Sequence, residues 1–257
     1  MRKFKKIGIT IEARMGSTRL PGKTLIPLYG KPMLVRMIER LKMVRSADLI
    51  VLATTDAPQD QPLVDLAQDL GIGYFQGSQE DVLDRVLKAA QKYDIDLIVE
   101  TCGDCPVVDP NILEMQIQAF LDHDVDFVGC HLVKTFPYGL DGKLFTTKTL
   151  EEVSTLTQEK ADRENVSLYI YEHPERYKLF NIEAKGKQRR PDLRLVVDYQ
   201  ADFDLIEHVY KEFYDRNPRF SYDDILDLFE RRPELVGINK DSVNIQVAGR
   251  DTHVKKV

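Results

Sequence analysis

The sequence predicts an α/β protein, a mainly parallel sheet with helices on both faces. Three observations carry that expectation. Short continuous apolar runs of strand length alternate with longer segments of helical period, the pattern of strands buried on both faces. Through roughly the first 130 residues the order reads β-α-β-α-β-α-β-α-β, which calls for crossover helices and therefore parallel strands. Residues with chemistry to offer fall at the carboxyl ends of the apolar runs, where open α/β sheets gather their ligands.

The opening strand covers about Ile7 to Glu12, on its run of isoleucines. A helix follows from Pro32, because Met33, Leu34, Met37, Ile38, Leu41 and Val44 share one face. Leu49 to Ala53 is a second strand, ending in Thr54-Thr55-Asp56. The next helix, about Gln59 to Leu70, is closed by Gly71, and a short strand at Tyr74-Phe75 leads into Gly77-Ser78. About Glu80 to Tyr93 is helical, with Val82, Leu83, Val86, Leu87 and Ala90 inward. Leu97-Ile98-Val99 is a strand that delivers Cys102-Gly103-Asp104-Cys105-Pro106. Pro110 starts a helix ending near Leu121, and Val125 to Gly129 is strand-like.

After Cys130 the pattern changes. A turn-rich loop, Phe136 to Gly142, precedes a short strand at Lys143 to Phe145. Glu159 to Glu172 reads as one helix stopped by His173-Pro174. Tyr177 to Glu183 is extended, and Lys185 to Pro191 is a basic loop. Leu195-Val196-Val197 is read as a strand returning to the main sheet and ending at Asp198. Helices with Phe203, Leu205, Ile206, Val209, Tyr210 and Phe213, and then about Tyr222 to Glu230, complete the set. The expected organisation is one domain over 1–257, with a small inserted α+β lobe at about 131–193 and a polar, peripheral tail from about 239.

Composition bounds the function. The 257 residues are 43% hydrophobic and 30% charged, with a net charge of −6. This is the profile of an ordinary globular chain without general attraction to nucleic acid or an anionic membrane. No run reaches the roughly 18 apolar residues of a membrane span. The basic start, Met1 to Lys6, is followed by too short an apolar segment for a signal peptide, so a cytoplasmic location is expected. Three cysteines form no disulfide framework. Cys102-x-x-Cys105 has redox spacing, but Pro106 and Asp109-Pro110 put it in a turn rather than at a helix start.

The chemistry concentrates in Glu12-Ala13-Arg14-Met15-Gly16-Ser17-Thr18-Arg19-Leu20-Pro21-Gly22-Lys23. A buried strand opening into a loop with glycines, hydroxyls and three cations suits a polyphosphate. Small residues let backbone N–H groups approach phosphate oxygens, and Arg14, Arg19 and Lys23 offset their charge. The spacing before Lys23 is not that of a Walker loop. A basic surface loop is the plainer alternative. Asp104 and Asp198 both follow strand ends, and two carboxylates beside a polyphosphate suit Mg²⁺. Taken singly, each aspartate would be an ordinary turn or cap residue.

These residues resemble the cytidylyltransferases that activate acidic sugars, the CMP-Kdo synthetase and acylneuraminate cytidylyltransferase family, in its spore-coat polysaccharide protein F branch. The resemblance rests on the loop through Thr24-Leu25, and on Gly30-Lys31-Pro32-Met33, Ala53 to Asp56, Gly77-Ser78 and Asp81 to Arg85. It continues through Gly103 to Pro106, Tyr138 to Asp141, Arg163 to Val166, Tyr169 to Pro174 and Val197-Asp198. It implies a Rossmann-like fold of the nucleotide-diphospho-sugar transferase type, CTP and a small acidic acceptor as partners, Mg²⁺ as cofactor, and a homodimer packed through the lobe with its helix at Tyr169-Ile170-Tyr171.

By the same resemblance, Arg14 and Lys23 hold the triphosphate, with Arg19, Ala13, Gly16 and Ser17 in the same loop. Asp104 and Asp198 hold Mg²⁺. Ala53, Thr54, Gly77 and Ser78 line the cytosine and ribose. Tyr138, Asp141, Lys143, Arg163 and His173 are the expected acceptor contacts. Arg163 has a second reading as a solvated helix residue, and His173 as a helix cap before Pro174. The chain departs from the family at Gly142 and Lys143, where an apolar residue and a carboxylate are expected; a cation there favours a more anionic acceptor. The implied reaction is CMP transfer from CTP with release of pyrophosphate. Alternatives are another NTP or a non-sugar acceptor, a glycosyltransferase using an activated sugar, and a non-catalytic nucleotide-binding protein.

Overall fold

Burial along the first strand fixes the centre of the molecule, because Ile9 and Ile11 are fully enclosed and Glu12 emerges only at the carboxyl end. Each enclosed isoleucine contributes about 1.5–3 kcal/mol relative to exposure. The structure is a computed structural model and describes residues 2–242.

In chain order the elements are β1 (Ile7–Glu12), the hairpin β2 (Pro27–Leu28) and β3 (Lys31–Pro32), α1 (Met33–Leu41), β4 (Leu49–Thr55) and α2 (Gln61–Asp69). Next come β5 (Gly73–Gly77), α3 (Val82–Lys92), β6 (Leu97–Cys102), α4 (Pro110–Asp122) and β7 (Phe127–Gly129). Then follow β8 (Lys143–Thr146), α5 (Thr147–Leu156), α6 (Lys160–Glu164), α7 (Leu168–Glu172), β9 (Leu179–Asn181), α8 (Gln200–Phe213) and α9 (Tyr222–Arg231).

The expected βα order is found, and it builds a seven-stranded sheet in the order β5-β4-β1-β6-β8-β7-β9. β5, β4, β1 and β6 are parallel, so their carboxyl ends share one edge. β8 is antiparallel to both β6 and β7, and β9 is parallel to β7. Thus residues from the segment expected to form a lobe enter this sheet.

Helices cover both faces. On one, Leu34 and Met37 of α1, Leu63 of α2 and Leu113 and Ile117 of α4 pack against Ile9 and Ile11. On the other, Leu83 and Val86 of α3, Leu150 and Val153 of α5 and Ile170 of α7 pack against Val51 and Ile98. A further cluster joins α8 and α9 to Leu193, Leu195 and Val197. Among the described residues no helix is long and apolar enough to cross a membrane.

Four local expectations are corrected. Leu195-Val196-Val197 is extended but lies outside the sheet; Leu195 donates to the Tyr138 carbonyl at 2.9 Å and Val197 to that of Asp104 at 2.8 Å. Leu193, Leu195 and Val197 are buried, but so is Arg194 between them, and the segment pairs with loops instead of strands. The helix expected over Glu159–Glu172 is broken into α6 and α7. Val166 sits between them with φ of 35° and is wholly buried. That conformation is costly for a β-branched residue, and burial of its side chain opposes the cost.

α5 escaped the sequence because Thr147 and Thr149 in its first turn are weak helix formers; the Thr146 side chain caps it by accepting from the Thr149 N–H at 3.0 Å. Finally, the tail is not peripheral at its start. Asn239 is buried and donates to the Arg194 carbonyl at 3.0 Å and to Asp202 at 2.9 Å. The tail beyond residue 242 lies outside the described residues.

Candidate active site

The carboxyl ends of β1 and β6 open into two adjoining cavities. The first, of about 310 Å³, is lined by the loop after β1 (Ala13, Arg14, Gly16, Ser17, Thr18, Arg19 and Lys23) together with Glu12, Arg85, Asp104 and Asp198. The second, of about 320 Å³, includes Glu100, His131, Tyr138, Asp141, Lys143, Tyr171 and Arg194. Cys102, Asp104 and Asp198 line both, so they form the shared wall.

The loop holds its shape through backbone capture. Asp60, almost fully buried, accepts the Met15 N–H at 2.7 Å and a hydrogen bond from the Thr55 hydroxyl. The Thr54-Thr55-Asp56 strand end therefore serves the loop from beneath. Gly103 is required where β6 crosses the end of β1, since a Cβ there would lie 2.8 Å from the Ala13 Cβ and 3.1 Å from the Glu12 carbonyl oxygen. Gly139, at φ of 101°, brings the second loop so close that a Cβ would stand 2.5 Å from the Leu195 carbonyl oxygen.

Lys23 is the hub. Its ammonium donates to Asp104 at 2.9 Å, to Asp198 at 3.0 Å and to the Val197 carbonyl at 2.7 Å. Arg19 also pairs with Asp198, while Arg194 reaches Asp198 at 2.6 Å and Asp202 at 3.1 Å. Asp202, fully buried, accepts the N–H groups of Asp198 and Tyr199 at the start of α8, both at 3.0 Å. Burial alone would raise the Asp198 pKa; the Lys23 charge and the hydrogen bonds from Arg19, Lys23 and Arg194 overcome it and hold the carboxyl at about 2. Burial likewise opposes the Lys23 charge, and Asp104 and Asp198 reverse that effect and raise its pKa. Arg14 is exposed and has no ion pair among the described residues.

Two carboxylates that converge on one cation have the donor chemistry of a hard divalent ion, which takes one or two carboxylates plus phosphate oxygens and waters. Among the described residues there is no group of three or more potential ligands, so such an ion would have Asp104 and Asp198 as its protein ligands and take the rest from phosphate and water. The residues fit the ion on that basis, with Lys23 now standing between them.

A second charged array lies under the shared wall. Lys143 on β8 faces Glu100 on β6 in register and donates to it at 3.0 Å. Lys143, expected to draw a more anionic acceptor, lines the second cavity with its charge offset by Glu100. Glu12 and Glu100 are in side-chain hydrogen-bond contact, and burial followed by the Glu100 charge raises the Glu12 pKa to about 8. Burial also pushes the Cys102 and Cys105 thiols well above their ordinary value, and both are free, in keeping with the exclusion of redox chemistry.

The structure brings together Ala13, Arg14, Gly16, Ser17, Arg19, Lys23, Asp104 and Asp198 in the first cavity, and Tyr138, Asp141 and Lys143 in the second. It places others elsewhere. Ala53 and Thr54 are wholly buried in β4, Gly77 ends β5, and Ser78 opens the turn before α3, where its hydroxyl accepts from Asp81 N–H at 3.0 Å. None of the four lines either cavity.

Arg163 also lies outside both. Its Nε donates to Asp81, the cap of α3, at 3.0 Å and its Nη1 to the Ser154 carbonyl at 3.1 Å. Replacing Arg163 with Ala should cost about 1–2 kcal/mol in a denaturant melt and leave acceptor KM within about twofold; a tenfold rise in KM would return it to the acceptor site. His173 stacks on the Tyr169 ring at 3.9 Å, with Nδ1 2.7 Å from the Tyr169 carbonyl oxygen, a helix-end role. Ile170 and Tyr171 are buried within their own chain, so that helix does not offer them to a dimer partner.

Sequence reasoning quoted Glu12 and Arg85 within its motifs without giving them a role, and passed over Glu100 and Arg194. A charge inside an apolar strand run was the available signal for Glu100. Arg194 had none, because its importance comes from the loop pairing of its segment.

Comparison with known proteins gives the family. The cytidylyltransferase family model matches residues 8–223. The spore coat polysaccharide biosynthesis protein SpsF of Bacillus subtilis is 34% identical over 229 residues, 87% of this chain and 94% of that protein. A solved cytidylyltransferase from Leptospira borgpetersenii superposes with a TM-score of 0.86 at 32% identity, covering 94% of this chain and 99% of that one. A CMP-2-keto-3-deoxy-manno-octonic acid synthetase solved with CTP shares the fold, with a TM-score of 0.61 at 20% identity over 81% of this chain and 99% of its own. The chain belongs to the cytidylyltransferase family and is an enzyme of that kind.

Proposed function

We propose that this enzyme transfers CMP from CTP to an oxygen of a polar, sugar-like acceptor, releasing pyrophosphate. The observation that carries the reading is the wall of Asp104 and Asp198 shared by the two cavities. A nucleotide in the first and an acceptor in the second would meet there. In the same proposal Arg14, Arg19 and Lys23 bind the triphosphate, and the acceptor oxygen bonds to the α-phosphorus as the α–β phosphoanhydride bond breaks.

Mg²⁺ held by Asp104 and Asp198 would supply neutralisation of phosphate charge. The chain itself supplies position: Arg14 draws the outer phosphates to the loop, Lys23 moves from the two aspartates to the leaving oxygens, and Arg194 keeps Asp198 oriented. No protein nucleophile is needed, since positioning and electrostatics carry phosphoryl-type transfer. The kinship with SpsF supports a role in surface polysaccharide synthesis. A cytoplasmic location and a homodimer belong to the same proposal as family expectations.

A thermal-shift panel of CTP, UTP, ATP and GTP, each with Mg²⁺ or chelator, tests the donor, because a ligand of the folded state raises the melting temperature by mass action. CTP with Mg²⁺ should give the largest shift, and should then support pyrophosphate release in an acceptor screen. Preference for another nucleotide would replace CTP as donor.

A further inference from the structure

Glu12 and Glu100 present a problem that one proton solves. Glu12 ends β1 and lines the first cavity; Glu100, on the adjacent strand β6 and 2% exposed, lines the second. Glu12 Oε1 and Glu100 Oε2 are both enclosed, and neither has a hydrogen-bond donor among the described residues. Yet the two side chains are in hydrogen-bond contact with each other. Two ionised carboxylates cannot hold such a contact, whereas a carboxyl and a carboxylate sharing a proton can. Lys143 from β8 donates to the other oxygen of Glu100, so the cation lies on that side of the pair and the proton on Glu12. From α3, Arg85 also faces Glu12 and opposes the protonated form; its Nη1 is turned to the Ser78 carbonyl at 2.6 Å, and its buried Nε has no partner among the described residues.

Resting on the reading that CTP fills the first cavity, we propose that Glu12 is a nucleotide-binding residue that works only while it shares this proton with Glu100, so that a neutral carboxyl, not a carboxylate, meets the triphosphate. The residue stands two positions before Arg14, on the wall that a polyphosphate must approach. An ionised Glu12 would set one more negative charge against it, in a site already carrying Asp104 and Asp198. Burial and the neighbouring Glu100 charge both favour the protonated form, bringing its pKa from 4.5 to about 8.

The sign follows directly. Below pH 8 Glu12 is neutral and the cavity accepts CTP; above it the competent fraction falls, and the apparent affinity falls with it. Binding above pH 8 must then take up a proton.

Isothermal titration of CTP with Mg²⁺ at pH 7.5, 8.5 and 9.5, in two buffers of different ionisation enthalpy, reads both quantities. The phosphate's own titration, near about pH 6, lies outside this range. The wild type should lose about tenfold or more in affinity from pH 7.5 to 9.5 and absorb a proton at pH 8.5. Glu12→Gln should show a pH-independent affinity and no proton uptake. Wild-type CTP affinity that is flat with pH, or a Gln variant that declines in parallel, overturns the proposal while leaving the donor reading intact. Failure of CTP to bind at any pH overturns the donor reading and this proposal with it. If the Gln variant does not fold, the wild-type proton count decides alone.

Discussion

Asp104→Asn should lower CMP transfer by roughly 10³-fold while the protein keeps its melting temperature within a few degrees. Asp104 is partly exposed, and its side chain gives the fold little beyond the contact to Lys23 at 2.9 Å. Its loss therefore removes one of two carboxylates on the shared wall without emptying a core. The substitution is also expected to abolish the extra stabilisation that Mg²⁺ adds to CTP in a thermal shift. That second readout needs no acceptor, and it separates an ion-binding role from a purely structural one. Turnover within about tenfold of wild type would take Asp104 out of the mechanism. A lost rate with an intact Mg²⁺ increment would make it a positioning residue for Lys23.

Asp202→Ala should produce the largest loss of stability among the site's polar residues. Asp202 is fully buried, pairs with Arg194, accepts two N–H groups at the start of α8 and receives the Asn239 amide. Breaking a buried ion pair from one side costs about 3–5 kcal/mol, because the surviving charge stays in place without its partner. In a chain of this size that corresponds to roughly 10 °C in melting temperature. Activity should fall too, since Arg194 then has Asp198 without the restraint of Asp202. Asp202→Asn, which keeps the acceptor oxygen, should recover part of the stability. A melting temperature within about 2 °C of wild type would show that Arg194 is held by its other contacts.

Sequence and structure diverge at instructive places. The parallel core was legible because its strands are buried on both faces, and Ile7 to Ile11 or Leu49 to Ala53 admit no other reading at that length. The strand-end rule also worked. It draws the basic loop, Asp104 and Asp198 to one place, and Lys23 joins both aspartates there. What failed depended on pairing at a distance. Leu195 to Val197 has strand period, but whether its backbone meets a strand or the loop at Tyr138 is not written in its own residues. The partner of Lys143 was not legible, because Glu100 lies 43 residues away on a neighbouring strand. Arg163 read equally as an acceptor contact or a solvated helix residue, and its partner Asp81, the cap before α3, was not legible. A charged residue announces that it needs a partner, and the register of the sheet decides which one it receives.

The burial of Asn239 has a practical consequence. Its amide ties the end of the described chain to Arg194 and Asp202, and so to the scaffold that orients Asp198. An affinity handle joined after residue 242 would leave that tie untouched. Trimming the chain back to Ile238 would leave a vacancy beside Asp202. Shortened versions prepared for crystallisation or immobilisation should therefore be designed around Asn239, at a boundary that the polar character of the surrounding residues does not advertise.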